Sequence, residues 1–437
     1  MTGQGRPGWR PGSGNGAASR SGDAGPATAG VRVVIDLRPV QDPDRAPTTA
    51  IYLEQLLTAL DEDPIPGESF SFLLAAERDD PSERWSRLDI VGRRLLPPTR
   101  LLRSGALTVD PILLRGASLG AGWRAERVGA AGSVYHAAAG ALPIASGIPI
   151  VAAVLDLAPW AQPEAYQRGL ATRFGQRIRA RLLKDAAAVL VPGRATALEA
   201  RRLLHVRQTR LRVVPLAPRP VFRPEAAIDR SGAAEAERLG LGPRYAVYAG
   251  RYDARQDLPT LLDALARLAR EPAPPLVGVT NASWPPRICL VGATPDDRAA
   301  LSRAASRAGV ADAMAYAPAL PPERLASLVA GARFLVQPVH SESTGLAALE
   351  AIAAGVPVVA SAVGVLPEVV GNAGILVEPG DTARLATALR VAWTDDELHA
   401  MLVAAARERG TGARTWADVV RDTRAVWAAV ARPAPFL

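Results

Sequence analysis

The chain has 437 residues, of which 49% are hydrophobic and 22% charged, enough for two domains with ordinary cores and too polar for a membrane-embedded protein. Its single cysteine, Cys289, excludes an internal disulfide and fits a reducing cytoplasm, and no apolar run approaches the roughly 18 residues that cross a bilayer. The net charge is +8, with 51 basic residues that are all arginine except Lys184; no zinc-ligand spacing, helix-turn-helix pattern or aromatic-basic signature accompanies it, which argues against nucleic acid.

In chain order, residues 1–30 are rich in Gly, Ser, Pro and Arg and read as a disordered tail without the apolar core of a signal peptide. Order is expected to begin with the strand VRVVID at 31–36, followed by a helix over about 48–60. Further strands are expected at 70–75, 134–137, 148–155, 187–191 and 211–214, with helices at about 163–183 and 194–204. The stretch "PLAPRPVFRP" at 215–224 carries four prolines and reads as an interdomain linker. A second alternating series follows, with strands at 245–249, 288–291, 334–336, 356–360 and 375–377. Its helices are expected at about 257–270, 295–308, 323–331, 346–354 and 382–393, with a last helix over 413–430. Residues 271–286 form a Pro-rich surface insert. The expected fold class is α/β: two doubly wound Rossmann-like domains facing each other across a cleft. The boundaries fall at 1–30 for the tail, 31–220 and 221–412 for the domains, and 413–437 for a helix returning to the first domain.

One segment carries more than periodicity. "HSESTGLAALEAIAAGVPVVAS" (340–361) sets Glu342 in a loop after a buried strand and Glu350 about two turns into the next helix. In an open parallel sheet such a loop faces the ligand crevice, and the amides around Thr344 to Ala347 would attract a phosphate. The carboxylates would instead accept hydrogen bonds from sugar or ribose hydroxyls. A solvated loop glutamate and an exposed helix glutamate fit the bare pair as well, because charged residues are mostly exposed. The acidic clusters Asp42-x-Asp44 and Asp61-Glu62-Asp63 read as solvated turns rather than a metal site. The glycines of 116–129 lack the preceding strand of a dinucleotide fingerprint.

Two longer stretches, "YAGRYDARQDLPTLLDALARL" (248–268) and "QPVHSESTGLAALEAIAAGVPVVASAVGVLPEVVGNAGILVEPGD" (337–381), together resemble the donor-binding half of the group 1, or family 4, glycosyltransferases of GT-B fold. "VRVVIDLRPV", "IYLEQLLTAL", "VLDLAP" and "VVPLAPRPVFRP" extend the resemblance more weakly into the first half. It implies a retaining, metal-independent transferase that uses a nucleotide diphosphate (NDP) sugar as donor substrate, without a cofactor. Glu342 would face the sugar hydroxyls and Glu350 the ribose. Arg251 would neutralise the diphosphate leaving group, with Arg255 beside it. Gly345, Leu346, Gly364, Val365 and Leu366 would surround the diphosphate and sugar. Asp156 and His136 would lie on the acceptor side.

The sequence departs from the family pattern in several places. Gln256 stands where a lysine is usual, Ser343-Thr344 replaces Gly-Phe, Leu155 replaces a histidine, and Pro47-Thr48-Thr49-Ala50 replaces a glycine-rich loop. These departures leave open a second reading, a catalytically degenerate GT-B protein serving as a binding or regulatory partner in glycan assembly. A glycan or lipid-linked acceptor is implied. Residues 93–127 hold seven arginines against two acids, and Tyr166, Leu170, Phe174 and Ile178 form an apolar stripe flanked by Arg173, Arg177, Arg181 and Lys184. The expectation is a cytoplasmic protein, with peripheral contact to an anionic membrane set against a core-packed helix with a solvated basic flank.

Overall fold

A computed structural model describes residues 31–96, 132–138, 142–144, 146–274 and 283–431. The expected tail at 1–30, the glycine segment 116–129, most of the arginine-rich stretch 93–127 and the middle of the 271–286 insert lie outside the described residues.

The apolar runs become two parallel sheets. The first contains β1 (Val31–Asp36), β2 (Ser69–Ala75), β3 (Ile90–Leu96), β4 (Gly132–Ala137), β5 (Ile150–Ala153), β6 (Ala188–Val191) and β7 (Leu211–Val213), in the order β3-β2-β1-β4-β5-β6-β7. The second contains β8 (Ala246–Ala249), β9 (Ile288–Val291), β10 (Met314–Ala317), β11 (Leu335–Gln337), β12 (Val358–Ser361) and β13 (Gly374–Val377), in the order β10-β9-β8-β11-β12-β13. Every described pairing between these strands is parallel. Both faces of each sheet are covered, as the continuous burial of strands such as VRVVID and ICLV requires. Strand order reverses at β1/β4 in the first sheet and at β8/β11 in the second. The carboxyl ends at such a reversal open the crevice in which doubly wound folds bind ligands.

The covering helices include α1 (Pro47–Glu62), α2 (Leu170–Asp185), α3 (Arg194–Leu204), α4 (Leu258–Ala269), α5 (Pro295–Arg307), α6 (Pro322–Ala330), α7 (Leu346–Ala353), α8 (Thr382–Thr394), α9 (Asp396–Thr411) and α10 (Trp416–Val430). The last of these starts with a reciprocal capping box between Thr415 and Asp418. Its buried stripe of Trp416, Val419, Val420, Val426 and Trp427 packs into the first domain's core beside Tyr52, Leu56 and Val134. Arg424 adds a fork to Glu68 at 2.8 and 3.2 Å.

Several expectations need revision. The stretch 163–183 is not one helix: Pro163–Tyr166 forms a single turn, and α2 begins at Leu170 after the extended Gly169. Gln167 stabilises the break by donating to the Pro159 carbonyl at 2.6 Å. Strands β3 and β10 were not expected. The first is an edge strand whose exposed Arg93 and Arg94 break the apolar run, and the second is the four-residue MAYA. The proline-rich linker is anchored rather than free, with Leu216 and Ala217 in the first domain's core and Phe222 in the second's.

Candidate active site

The two strands at the second domain's reversal deliver the expected donor residues. After β8 the chain turns through Arg251 and Arg255; after β11 it runs through His340 to Gly345 and into α7. An antiparallel bridge between Gln256 and Val339 ties the two loops, as does a 2.7 Å bond from the His340 amide to the Arg255 carbonyl. His340 also lies 3.4 Å from Asp257, which caps α4.

Glu342 curls over the start of α7. Its Oε1 accepts from the Thr344 amide, the Thr344 hydroxyl and the Gly345 amide, each at 2.9 Å, and its Oε2 accepts from Gln337 at 3.0 Å. The expectation that these two amides await a phosphate is therefore corrected: the protein's own carboxylate occupies them. Gly345 has a left-handed φ of +64° and Leu346, behind it, is buried. The Glu342 carbonyl in turn accepts from the Val365 amide at 3.2 Å. The loop after β12 presses so closely here that a Cβ on Gly364 (φ +52°) would sit 1.8 Å from that oxygen. Leu366 turns its side chain into the second domain's core, whereas Val365 is buried against Gly345 and, across the cleft, against Gly193 of the first domain.

The arginines differ. Arg251 is partly exposed and reaches Asp253 at 3.3 Å. Arg255 is largely buried, bonds Asp253 at 2.9 Å and crosses to the first domain to bond Asp156, also at 2.9 Å. Burial opposes its charge, but Asp156 and Asp253 outweigh that and hold its pKa above the ordinary arginine value. Its guanidinium lies 5.9 Å from the Tyr166 ring centre. Asp156 is fixed by accepting from the Ala158 amide at 2.9 Å. Gln256, at the lysine position, has its side-chain oxygen buried without a hydrogen-bond partner.

Other contacts close the cleft. The Ser343 hydroxyl accepts from the Leu157 amide at 3.0 Å, and Thr196 donates to the Ser343 carbonyl at 2.8 Å. Glu368 accepts from the Arg194 and Ala195 amides at 3.1 and 2.6 Å, supplying the missing partners at the N-terminus of α3. Ser343, one of the departures from the family pattern, is thus an interdomain contact.

His136 does not belong to this site. It is fully buried at the end of β4, 3.3 Å from the Tyr52 hydroxyl, and Trp427 of α10 donates to its Nδ1 at 3.2 Å. An indole nitrogen can only donate, so Nδ1 accepts, Nε2 carries the proton and the ring is neutral. Burial pushes its pKa down to about 3. A strand-end histidine in the crevice is corrected to a core pin between the first and last thirds of the chain.

Glu350 faces the linker. Arg219 holds it through two parallel bonds, Nε to Oε1 at 2.6 Å and Nη2 to Oε2 at 2.9 Å. Sequence reasoning did not single out Arg219; the only signal was a cation among the linker prolines. Among the described residues no group of three or more His, Cys, Asp or Glu gathers as a metal ion would need.

A family model described as "Glycosyl transferases group 1" matches residues 231–409, which contain all of these donor-side loops. Residues 231–409 form a group 1 glycosyl transferase domain. Curated relatives include the D-inositol 3-phosphate glycosyltransferases of Acidothermus cellulolyticus, 43% identical over 109 residues (24% of this chain and 24% of that protein), and of Segniliparus rotundus, 36% identical over 216 residues (48% and 42%). The matched stretches thus span less than half of these relatives' length. Among solved structures, sucrose-phosphate synthase from Thermosynechococcus elongatus superposes with a TM-score of 0.67 at 21% identity, covering 91% of this chain and 98% of that one. Anabaena Alr3699/HepE in complex with UDP-glucose gives 0.65 at 15% identity, covering 91% and 99%. WaaG, a glycosyltransferase involved in lipopolysaccharide biosynthesis, gives 0.64 at 15%, covering 92% and 99%. These likenesses establish the GT-B fold for the chain.

Proposed function

We propose that the chain is a retaining, metal-independent glycosyltransferase that moves a sugar from an NDP-sugar to a glycan or lipid-linked acceptor in the cytoplasm. The observation that carries this reading is the convergence of the Arg251, Arg255 and Glu342 loops at the β8/β11 reversal, facing Asp156 across the cleft. Arg251, partly exposed and 3.3 Å from Asp253, would offset the charge that develops on the diphosphate as the glycosidic bond breaks. Glu342, already oriented by four hydrogen bonds, three of them on Oε1, would take a sugar hydroxyl on the remaining site of its Oε2. The curated relatives' names make a phosphorylated inositol the first acceptor to try.

The degenerate-scaffold reading keeps one observation in its favour. Arg255 is held by two carboxylates and Gln256 is neutral, so the diphosphate would meet one partly exposed cation, Arg251, itself 3.3 Å from Asp253, rather than two. Incubation with UDP-, GDP- and ADP-sugars, with and without D-inositol 3-phosphate, separates the two. Release of nucleotide diphosphate with sugar transfer supports the enzyme. Binding without turnover across the panel supports the scaffold.

Peripheral membrane contact belongs to the same proposal. Leu170 (83% exposed) and Phe174 (55%) project from α2 beside the exposed Arg173, Arg177, Arg181 and Lys184, so this half of the stripe is not core-packed, while Tyr166 and Ile178 are half-buried. Leu198 (62%) on the adjoining α3 stands beside the exposed Arg201, Arg202 and Arg207. Residues 163–213 hold twelve basic against three acidic side chains, more than the whole chain's net +8. Apolar tips within a basic field suit an anionic bilayer. Flotation with anionic but not neutral liposomes is expected, and loss of flotation in a Leu170→Ser, Phe174→Ser variant would locate the contact. Equal behaviour with both liposome types overturns it.

A further inference from the structure

We propose that Arg219, in the segment joining the two domains, is the positioning residue that makes Glu350 a ribose acceptor; this rests on the nucleotide-sugar reading above. The pair is built rather than incidental. Arg219 opens the turn Pro220–Phe222, whose proline follows it directly and restricts its backbone to the extended conformation observed (φ −59°, ψ 141°). Its guanidinium carbon lies 5.0 Å over the ring centre of Phe222, which is itself buried in the second domain's core. Ring stacking and proline together leave the fork one direction, toward α7. Arg219 and Glu350 are 13% and 7% exposed, so the carboxylate sits in a largely dry place with its counter-ion held against it. Burial works against the arginine's charge, and Glu350, with Glu54 and Glu323 beyond it, more than restores it.

The fork also decides what Glu350 can bind. An ionised carboxylate offers about four lone-pair sites, and a parallel guanidinium fork takes one on each oxygen. One site per oxygen remains, on its outer edge, held in a fixed plane and diverging from the other by about 120°. The 2′ hydroxyl of a nucleotide's ribose can donate to one of them, while a vicinal diol cannot bridge both. A lysine at 219 could not produce this arrangement, because an ammonium is a point charge without a planar fork. The inference links donor recognition to the interdomain segment, through a residue that lies outside both donor loops.

The test is nucleotide binding by isothermal titration calorimetry. UDP, GDP and ADP, each against its 2′-deoxy form, are titrated into wild type, Arg219→Gln, Arg219→Lys and Glu350→Gln. Wild type should prefer the ribo form by about 10–100-fold, the range of charge-assisted hydrogen bonds. Arg219→Gln should reduce that preference to less than about threefold, and Arg219→Lys should retain an intermediate value. The readout is a ratio measured within one protein, so a general loss of stability does not mimic it. A full ribo preference in Arg219→Gln overturns the proposal, as does tighter ribo binding there, which would make Arg219 a plug over Glu350. If Arg219→Gln does not fold, full preference in Arg219→Lys overturns it equally. A ribo preference retained in Glu350→Gln, or absent in wild type, would instead refute the reading of Glu350 on which the proposal rests.

Discussion

Replacing His136 with Gln tests the corrected role of this residue through the pH dependence of stability. The ring is neutral in the fold with a pKa of about 3, against an ordinary value of 6.5. Below pH 6.5 the unfolded chain therefore binds a proton that the folded chain refuses, so stability is fully present above 6.5 and is lost as pH falls toward 3. Between pH 7.5 and pH 5 this one group removes about 2 kcal/mol, at 1.36 kcal/mol per pH unit once the unfolded histidine is mostly charged. Glutamine can accept from Trp427 and donate to Tyr52 but does not titrate. At pH 7.5 the variant should be less stable by about 1–2 kcal/mol from imperfect packing. At pH 5 it should equal or exceed wild type, so the two stability curves converge or cross. Urea unfolding at both pH values measures this, and the comparison cancels the other histidines. In wild type the His136 ring resonance should not titrate between pH 5 and 8. Parallel pH profiles for the two proteins, or a His136 titration near 6.5, would refute the reasoning. Because the ring never meets solvent, sugar transfer by the folded variant at pH 7.5 should stay within a few-fold of wild type.

Arg251→Ala should lower sugar transfer by about 10²–10³-fold, the cost of removing one charge-stabilising donor, with little change in melting temperature because its side chain is already partly exposed. Gln256→Lys should strengthen nucleotide diphosphate binding by about tenfold, or roughly 1.4 kcal/mol, by returning a cation beside the occupied Arg255; unchanged or weaker binding in calorimetry would show that the position needs none. Gly364→Ala should displace the Glu342 loop, since its new Cβ meets the Glu342 carbonyl at 1.8 Å, and a thermal shift together with loss of donor binding should report it.

Much of the fold was legible because parallel strands buried on both faces leave uninterrupted apolar runs, as in Val31–Asp36 and Ile288–Val291. Edge strand β3 was not, because at a sheet edge Arg93 and Arg94 can face solvent and no run forms. At the site, local spacing placed Glu342, Arg251 and Gly364 in neighbouring loops. It could not reveal partners far away in sequence. Asp156 meets Arg255 across 99 residues, Glu350 meets Arg219 across 131, and His136 meets Trp427 across 291. A histidine at a strand end looks the same in sequence whether it faces a crevice or an indole.

The return of α10 bears on how the protein is made. Domains generally fold in order as they leave the ribosome, the N-terminal one first. Here the first domain's core includes Trp416, Val419, Val420, Val426 and Trp427, which emerge only after the whole of the second domain. During synthesis the pocket around Tyr52 and His136 therefore remains open while the second domain, whose cores require nothing beyond α9, can already close. Folding order should run against chain order. The nascent first domain is then the part that needs shelter from chaperones, and a ribosome stalled before residue 416 would display an apolar groove that the finished protein hides.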